Sequence, residues 1–154
     1  MDIIRQIHKL LINKKKTIAV AESCTGGLIS AALTSLSGSS RYLILGITSY
    51  SNKAKEVVLK IPHSVIKKNG AVSKETAELM AKNVRNIAKA QVGISTTGIA
   101  GPTGGTAEKP VGTVFICLST EGTLRTKKLV LKGNRQSIRK QTLKASLNLI
   151  KKYI

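Results

Sequence analysis

Helical and strand periodicities alternate along this 154-residue chain in the order α-β-α-β-α-α-β-β-β-α, which argues for an α/β sandwich of three layers (α/β/α) built on a mixed sheet. Two local patterns support that class. Thr17-Ile18-Ala19-Val20-Ala21 is a continuous apolar run, as expected of a buried strand. Strands near Gly112 to Ser119 and Thr123 to Leu131 flank Glu121-Gly122, a turn pair that makes them a hairpin.

The elements follow in order. Ile3, Ile4, Ile7, Leu10 and Leu11 recur at helical spacing and predict an amphipathic helix near residues 2 to 15. The Thr17 to Ala21 strand leads into a helix placed at Cys24 to Ser35, with Leu28 to Leu33 as its apolar part. After the loop Ser37-Gly38-Ser39-Ser40, Tyr42 to Tyr50 reads as a strand, and Asn52 as the cap of a short helix through Leu59. His63 follows Pro62 and is placed in a loop. Ser73 opens a helix to about Ala90, whose inner face is Ala77, Met80, Ala81, Val84, Ile87 and Ala88. Gln91 to Thr97 is a strand ending in the glycine-rich loop Gly98 to Gly105. A last helix from about Arg135 to Tyr153 carries Ile138, Leu143, Leu147 and Ile150 on one side.

Composition bounds the function. Hydrophobic residues make up 42% of the chain, enough for one core, so a single domain over residues 1–154 is expected. Aromatic residues are only 3% and Trp is absent, which disfavours base-stacking platforms. No apolar run approaches the ~20 residues that span a bilayer, and the N-terminus lacks the order of a signal peptide, so a cytoplasmic protein away from the membrane is expected. Cys24 and Cys117 fall in apolar strand or strand-end positions and read as reduced structural thiols. The net charge of +19 spreads over every helix and loop, with clusters such as Lys14-Lys15-Lys16 and Lys127-Lys128 but no interleaved aromatics. That distribution disfavours a nucleic-acid partner and favours attraction of small anionic substrates.

The chemistry narrows by subtraction. Asp2 is the single Asp, and His8 and His63 are the only histidines, both read as surface residues; a Ser-His-Asp triad and a zinc site are disfavoured, and no metal or cofactor is expected. The segment Ala21-Glu22-Ser23-Cys24-Thr25-Gly26-Gly27 presents hydroxyls and glycines where a strand turns into a helix, as an exposed nucleophile requires. If Ser23 is the nucleophile, a lysine of lowered pKa is the leading base, and Lys55 in Tyr50-Ser51-Asn52-Lys53-Ala54-Lys55 is the best placed, with Tyr50 orienting it or relaying a proton. The Gly98 to Gly105 loop matches neither a P-loop nor a dinucleotide fingerprint, yet its amides, with Thr96 or Thr97, suit a phosphate or an oxyanion.

Taken together, Ala21 to Gly27, Tyr50-Ser51-Asn52-x-x-Lys55, Gly70-Ala71-Val72-Ser73, Gly98-Ile99-Ala100-Gly101-Pro102-x-Gly104-Gly105, Glu108 to Val114 and Gly133-Asn134-Arg135-x-x-x-Arg139 closely resemble the CinA C-terminal domain family in order and spacing. The resemblance implies an α/β/α fold and, for active members, nicotinamide-nucleotide amidase activity, which hydrolyses nicotinamide mononucleotide to nicotinic acid mononucleotide and ammonia. It implies Ser23 as nucleophile, Lys55 as base and Tyr50 as orienting or relaying group. Amides of Cys24 to Gly27, with Thr25 and Gly26, would hold the oxyanion. Thr97 and Gly98 would contact the nucleotide and Arg135 its phosphate. Arg139 is expected as a second contact or an ion-pair partner, and Glu22 as a holder of backbone amides or a cation. Lys53 and Thr103 depart from the residues commonest in the family at those positions, and neither is a reacting group. Longer members carry an extra N-terminal domain, which is not expected in this chain of 154 residues, and a homodimer is implied. The alternative of another class is a non-catalytic basic protein that binds nucleic acid or a partner in a competence or DNA-damage context.

Overall fold

A computed structural model of the chain describes residues 2–154. Its helices are α1 (Ile3–Asn13), α2 (Leu28–Thr34), α3 (Asn52–Val57), α4 (His63–Asn69), α5 (Lys74–Ala88) and α6 (Arg135–Tyr153), and its strands β1 (Ile18–Glu22), β2 (Leu43–Thr48), β3 (Val92–Gly98), β4 (Thr113–Thr120) and β5 (Thr123–Val130). The strands form one sheet in the order β2-β1-β3-β4-β5. β1 is parallel to β2 and β3, whereas β4 runs antiparallel to both β3 and β5, so the sheet is mixed as the sequence predicts.

Alternation along the strands divides the core between the two faces. Ile18 and Val20 of β1, Ile94 of β3 and Ile116 of β4 meet Ile7, Leu11, Ile29, Ile138 and Ile150 of α1, α2 and α6. On the other face, Ala19 and Ala21 of β1 meet Ile66, Met80 and Val84 of α4 and α5. Every residue of β1 is therefore buried, which explains its unbroken apolar run. Cys24 belongs to the first cluster and Cys117 to one beside α5, so the two free thiols sit on opposite sides of the sheet.

β1 lies between β2 and β3, and the chain leaves it in one direction through α2 and returns across it through α5. That reversal opens a crevice at the carboxyl ends of β1, β2 and β3.

Four expectations are corrected. The segment after Pro62 is helix α4, capped at Pro62, because Val65 and Ile66 turn onto α5 and tertiary burial stabilises a helix too short to announce itself. α2 begins at Leu28, since Gly26 and Gly27 hold positive φ values of 59° and 104° and Cys24 to Gly27 form a turn. The cap of α3 is Ser51, whose hydroxyl accepts from the Ala54 amide; Asn52 is the first helical residue. Ile87 is 46% exposed, because it lies at the margin of the α5 stripe in the last turn.

Candidate active site

The site is assembled by three strand ends. Ser23 follows β1 directly, and Glu22 behind it is fully buried. The Glu22 carboxylate accepts from the amides of Gly27, Ile29 and Ser30 at 3.1, 3.1 and 2.9 Å and from the Ser30 hydroxyl at 2.9 Å. It thus neutralises the positive end of α2 and fixes that helix against β1, which agrees with the expected amide-holding role. The same contacts consume donors that the sequence reading assigned to an oxyanion. Within the turn, the Gly26 amide donates to the Ser23 carbonyl at 3.0 Å and the Gly27 amide to Glu22. The amides of Cys24 and Thr25 donate to no other described residue.

Lys55 comes from the short helix α3, just beyond β2. Its side chain is driven inward until it is only 1% exposed. Nζ lies 3.0 Å from Ser23 Oγ, 2.8 Å from the Ser49 carbonyl oxygen and 3.4 Å from that of Tyr50. Neither of the described ion pairs involves it. Burial without a countercharge disfavours the ammonium and lowers the Lys55 pKa to about 8, against a small opposing effect from Cys24. The neighbouring Cys24 thiol is pushed the other way by burial, to about 11, which makes it a poor nucleophile at neutral pH.

Ser23, Cys24, Tyr50, Lys55, Thr97, Gly98 and Arg135 share one cleft of about 270 Å³, with Asn52, Thr103 and Gly104 among its other walls. The structure therefore brings six of the expected residues, Ser23, Tyr50, Lys55, Thr97, Gly98 and Arg135, to one place. Thr25 and Gly26 are not on its lining; the Thr25 side chain is fully buried and bonds Thr96 at 2.9 Å. The Tyr50 phenol does not reach Lys55. It is 59% exposed and accepts from Arg135 Nη2 at 2.7 Å, while Nη1 of the same guanidinium donates to the Gly101 carbonyl at 2.9 Å. Thr97 donates its hydroxyl to the Ala71 carbonyl.

Arg139 plays neither part expected of it here. Its Nε and Nη2 donate to the carbonyls of Cys24 and Thr25 at 3.2 and 2.9 Å, behind the nucleophile turn. Sequence reading missed the Ser49 carbonyl, because every residue offers one and only the fold selects which faces an amine. His63 pairs with Glu56 at the surface and half-buried His8 meets the Tyr42 hydroxyl, and neither lines the cleft. A larger hollow of about 420 Å³ lined by Lys16, Arg85, Gln91 and Tyr153 lies at the opposite end of the sheet, and no nucleophile there stands beside a base.

Fold and site together define an α/β/α protein that presents a serine–lysine pair at the carboxyl ends of parallel strands. The chain belongs to the CinA family: the family model described as the CinA C-terminal domain matches residues 1–154. A protein named as competence-damage inducible in Thermoanaerobacter sp. (strain X514) is 51% identical over 148 residues, covering 96% of this chain and 36% of that protein. A CinA-like protein of Syntrophus aciditrophicus (strain SB) is 49% identical over 149 residues, again 96% and 36%. The chain spans about a third of the length of these curated relatives. Among solved structures it is similar to the competence damage-inducible protein A (ComA) from Klebsiella pneumoniae, with a TM-score of 0.95 at 26% identity over 98% of this chain and 94% of that one. It is also similar to the competence/damage inducible protein CihA from Agrobacterium tumefaciens, with a TM-score of 0.90 at 33% identity over 97% and 94%.

Proposed function

We propose that this protein is a nicotinamide-nucleotide amidase working through a serine–lysine mechanism on nicotinamide mononucleotide. The observation that carries this reading is the buried Lys55 amine 3.0 Å from Ser23 Oγ, with no carboxylate to hold its proton.

Neutral Lys55 has two N–H bonds and one lone pair. The carbonyls of Ser49 and Tyr50 take the N–H bonds, which leaves the lone pair facing Ser23 to accept its hydroxyl proton. Ser23 Oγ then attacks the carboxamide carbon as its proton passes to Nζ, and the carbonyl oxygen becomes an oxyanion facing the turn amides. Collapse breaks the C–N bond, Lys55 returns the proton to the departing amine, and ammonia leaves an ester on Ser23. Water attacks that ester with Lys55 again as base, and the acid product departs as Ser23 recovers its proton.

Arg135 at the cleft rim uses two of its five N–H donors on Tyr50 and Gly101, and the rest suit the nucleotide phosphate. The exposed Tyr50 ring offers a face to the pyridine.

The test is ammonia release from nicotinamide mononucleotide by wild type, Ser23→Ala and Lys55→Ala, with folding checked by circular dichroism. Turnover by wild type alone supports the reading. No release by folded wild type sinks this substrate.

A further inference from the structure

We infer that Arg139 is a positioning residue that aims the Cys24 amide at the oxyanion, an inference that rests on the serine–lysine reading above. The argument follows the peptide planes of the turn. A trans peptide holds its C=O and N–H antiparallel, so fixing one fixes the other. Arg139 Nη2 holds the Thr25 carbonyl at 2.9 Å, which sets the Thr25–Gly26 plane and with it the direction of the Gly26 N–H. That N–H donates to the Ser23 carbonyl at 3.0 Å, which sets the Ser23–Cys24 plane. The Cys24 N–H then points the opposite way; apart from a contact with its own thiol it donates to no described residue, and Cys24 lines the cleft beside Ser23. Arg139 Nε holds the one remaining plane through the Cys24 carbonyl at 3.2 Å.

Two further observations fit. Gly26 has φ +59°, and a Cβ built there stands 3.2 Å from Arg139 Nη2, so the turn and the guanidinium are fitted to each other. Arg139 is outside the cleft, and it acts only through the turn. Arg139 holds the two carbonyls from two separate nitrogens of one rigid plane, Nε and Nη2, a fixed geometry that the single nitrogen of an ammonium does not reproduce.

The experiment compares wild type, Arg139→Ala and Arg139→Lys by two readouts, at a temperature where each is folded by circular dichroism. One is kcat and KM for ammonia release from nicotinamide mononucleotide. The other is the rate at which a fluorophosphonate labels Ser23, followed by intact mass, a reaction in which the Oγ–P bond forms, fluoride leaves and Lys55 takes the proton. Arg139→Ala is expected to lower kcat and labelling by about 100-fold, the usual loss for one oxyanion donor, with KM little changed. Arg139→Lys should recover only part, and added guanidinium ion at low millimolar concentration should rescue Arg139→Ala. A raised KM with unchanged kcat would make Arg139 a substrate contact and overturn the inference, as would unchanged labelling. Labelling of wild type without ammonia release would refute the proposed substrate yet still judge Arg139 by the labelling rates. Wild type that neither labels nor turns over would remove both readings.

Discussion

Lys55 shows how a burial that is costly for stability can serve chemistry. Its amine loses its proton at about pH 8 in the folded protein, but near 10.5 when the chain is unfolded. Below pH 8 both states are protonated and the folded state carries the whole cost of a buried ammonium. Between those values the unfolded chain binds more protons, so stability rises with pH, and above 10.5 the cost is gone. The difference is about 3 kcal/mol. Denaturant melts of wild type and Lys55→Met should therefore differ by a gap that shifts about 3 kcal/mol in favour of wild type between pH 7 and 11; a gap independent of pH would mean that the amine is not perturbed. Catalysis should follow the same titration from the other side. The value of kcat/KM for ammonia release should rise with pH to a plateau above about 8, and Lys55→Arg, which keeps the charge but cannot shed it, should lose activity by at least about 100-fold at any pH.

At the scale of the element, two buried devices hold the nucleophile turn and its sheet in register. Glu22 is the partner of the first amides of α2, and removing it strands the donors of Gly27, Ile29 and Ser30 where water has little access. Glu22→Ala should destabilise the protein by about 3 kcal/mol or more in urea denaturation, and a loss below about 1 kcal/mol would show that those amides find other partners. Gly93 permits α5 to lie close on β3. A Cβ there would stand 2.1 Å from the Ala81 carbonyl oxygen and 2.8 Å from Arg85 Cβ, so the helix must move before any side chain fits. Gly93→Ala should cost about 2–3 kcal/mol, read as a lowered midpoint at unchanged m-value. Because the cleft lies at the far end of β3, residual activity per folded molecule should stay close to that of wild type.

For the whole molecule the dominant fact is charge, with 26 Lys and Arg against 7 Asp and Glu. Among the described residues only His63–Glu56 and Lys74–Glu78 form ion pairs, so most of the +19 is uncompensated repulsion. Raising NaCl from about 20 to about 300 mM should raise the melting temperature by a few degrees; a flat response would mean that the lysines are too far apart to matter. The edge strand β5 carries Arg125, Lys127 and Lys128, a pattern that discourages pairing with another edge. The homodimer implied by the family likeness is thus better sought on the helices than on this edge, and light scattering of a charge-reversed β5 variant tests it. Binding of nucleic acid, if the charge serves that end instead, would fall steeply with salt and be indifferent to Ser23→Ala.

The sequence by itself determined the α/β class, ten of the main elements in their order along the chain and the placement of Ser23 and Lys55 at strand ends, because those features are written in local periodicity and in residue chemistry. Glu22 as holder of amides was legible for the same reason, since a carboxylate next to a helix start has few other partners. Tertiary structure alone decided what depends on distance. Helix α4 exists because α5 buries it. The Tyr50 phenol turns to Arg135 because the two rims of the cleft meet there, and Thr25 turns to Thr96 in the interior. Arg139, 115 residues beyond Cys24, reaches behind the turn only because α6 lies across α2 and β3. The carbonyls of Ser49, Cys24 and Thr25 have no signature in a sequence, since every residue carries the same group and only the fold chooses which of them meets a cation.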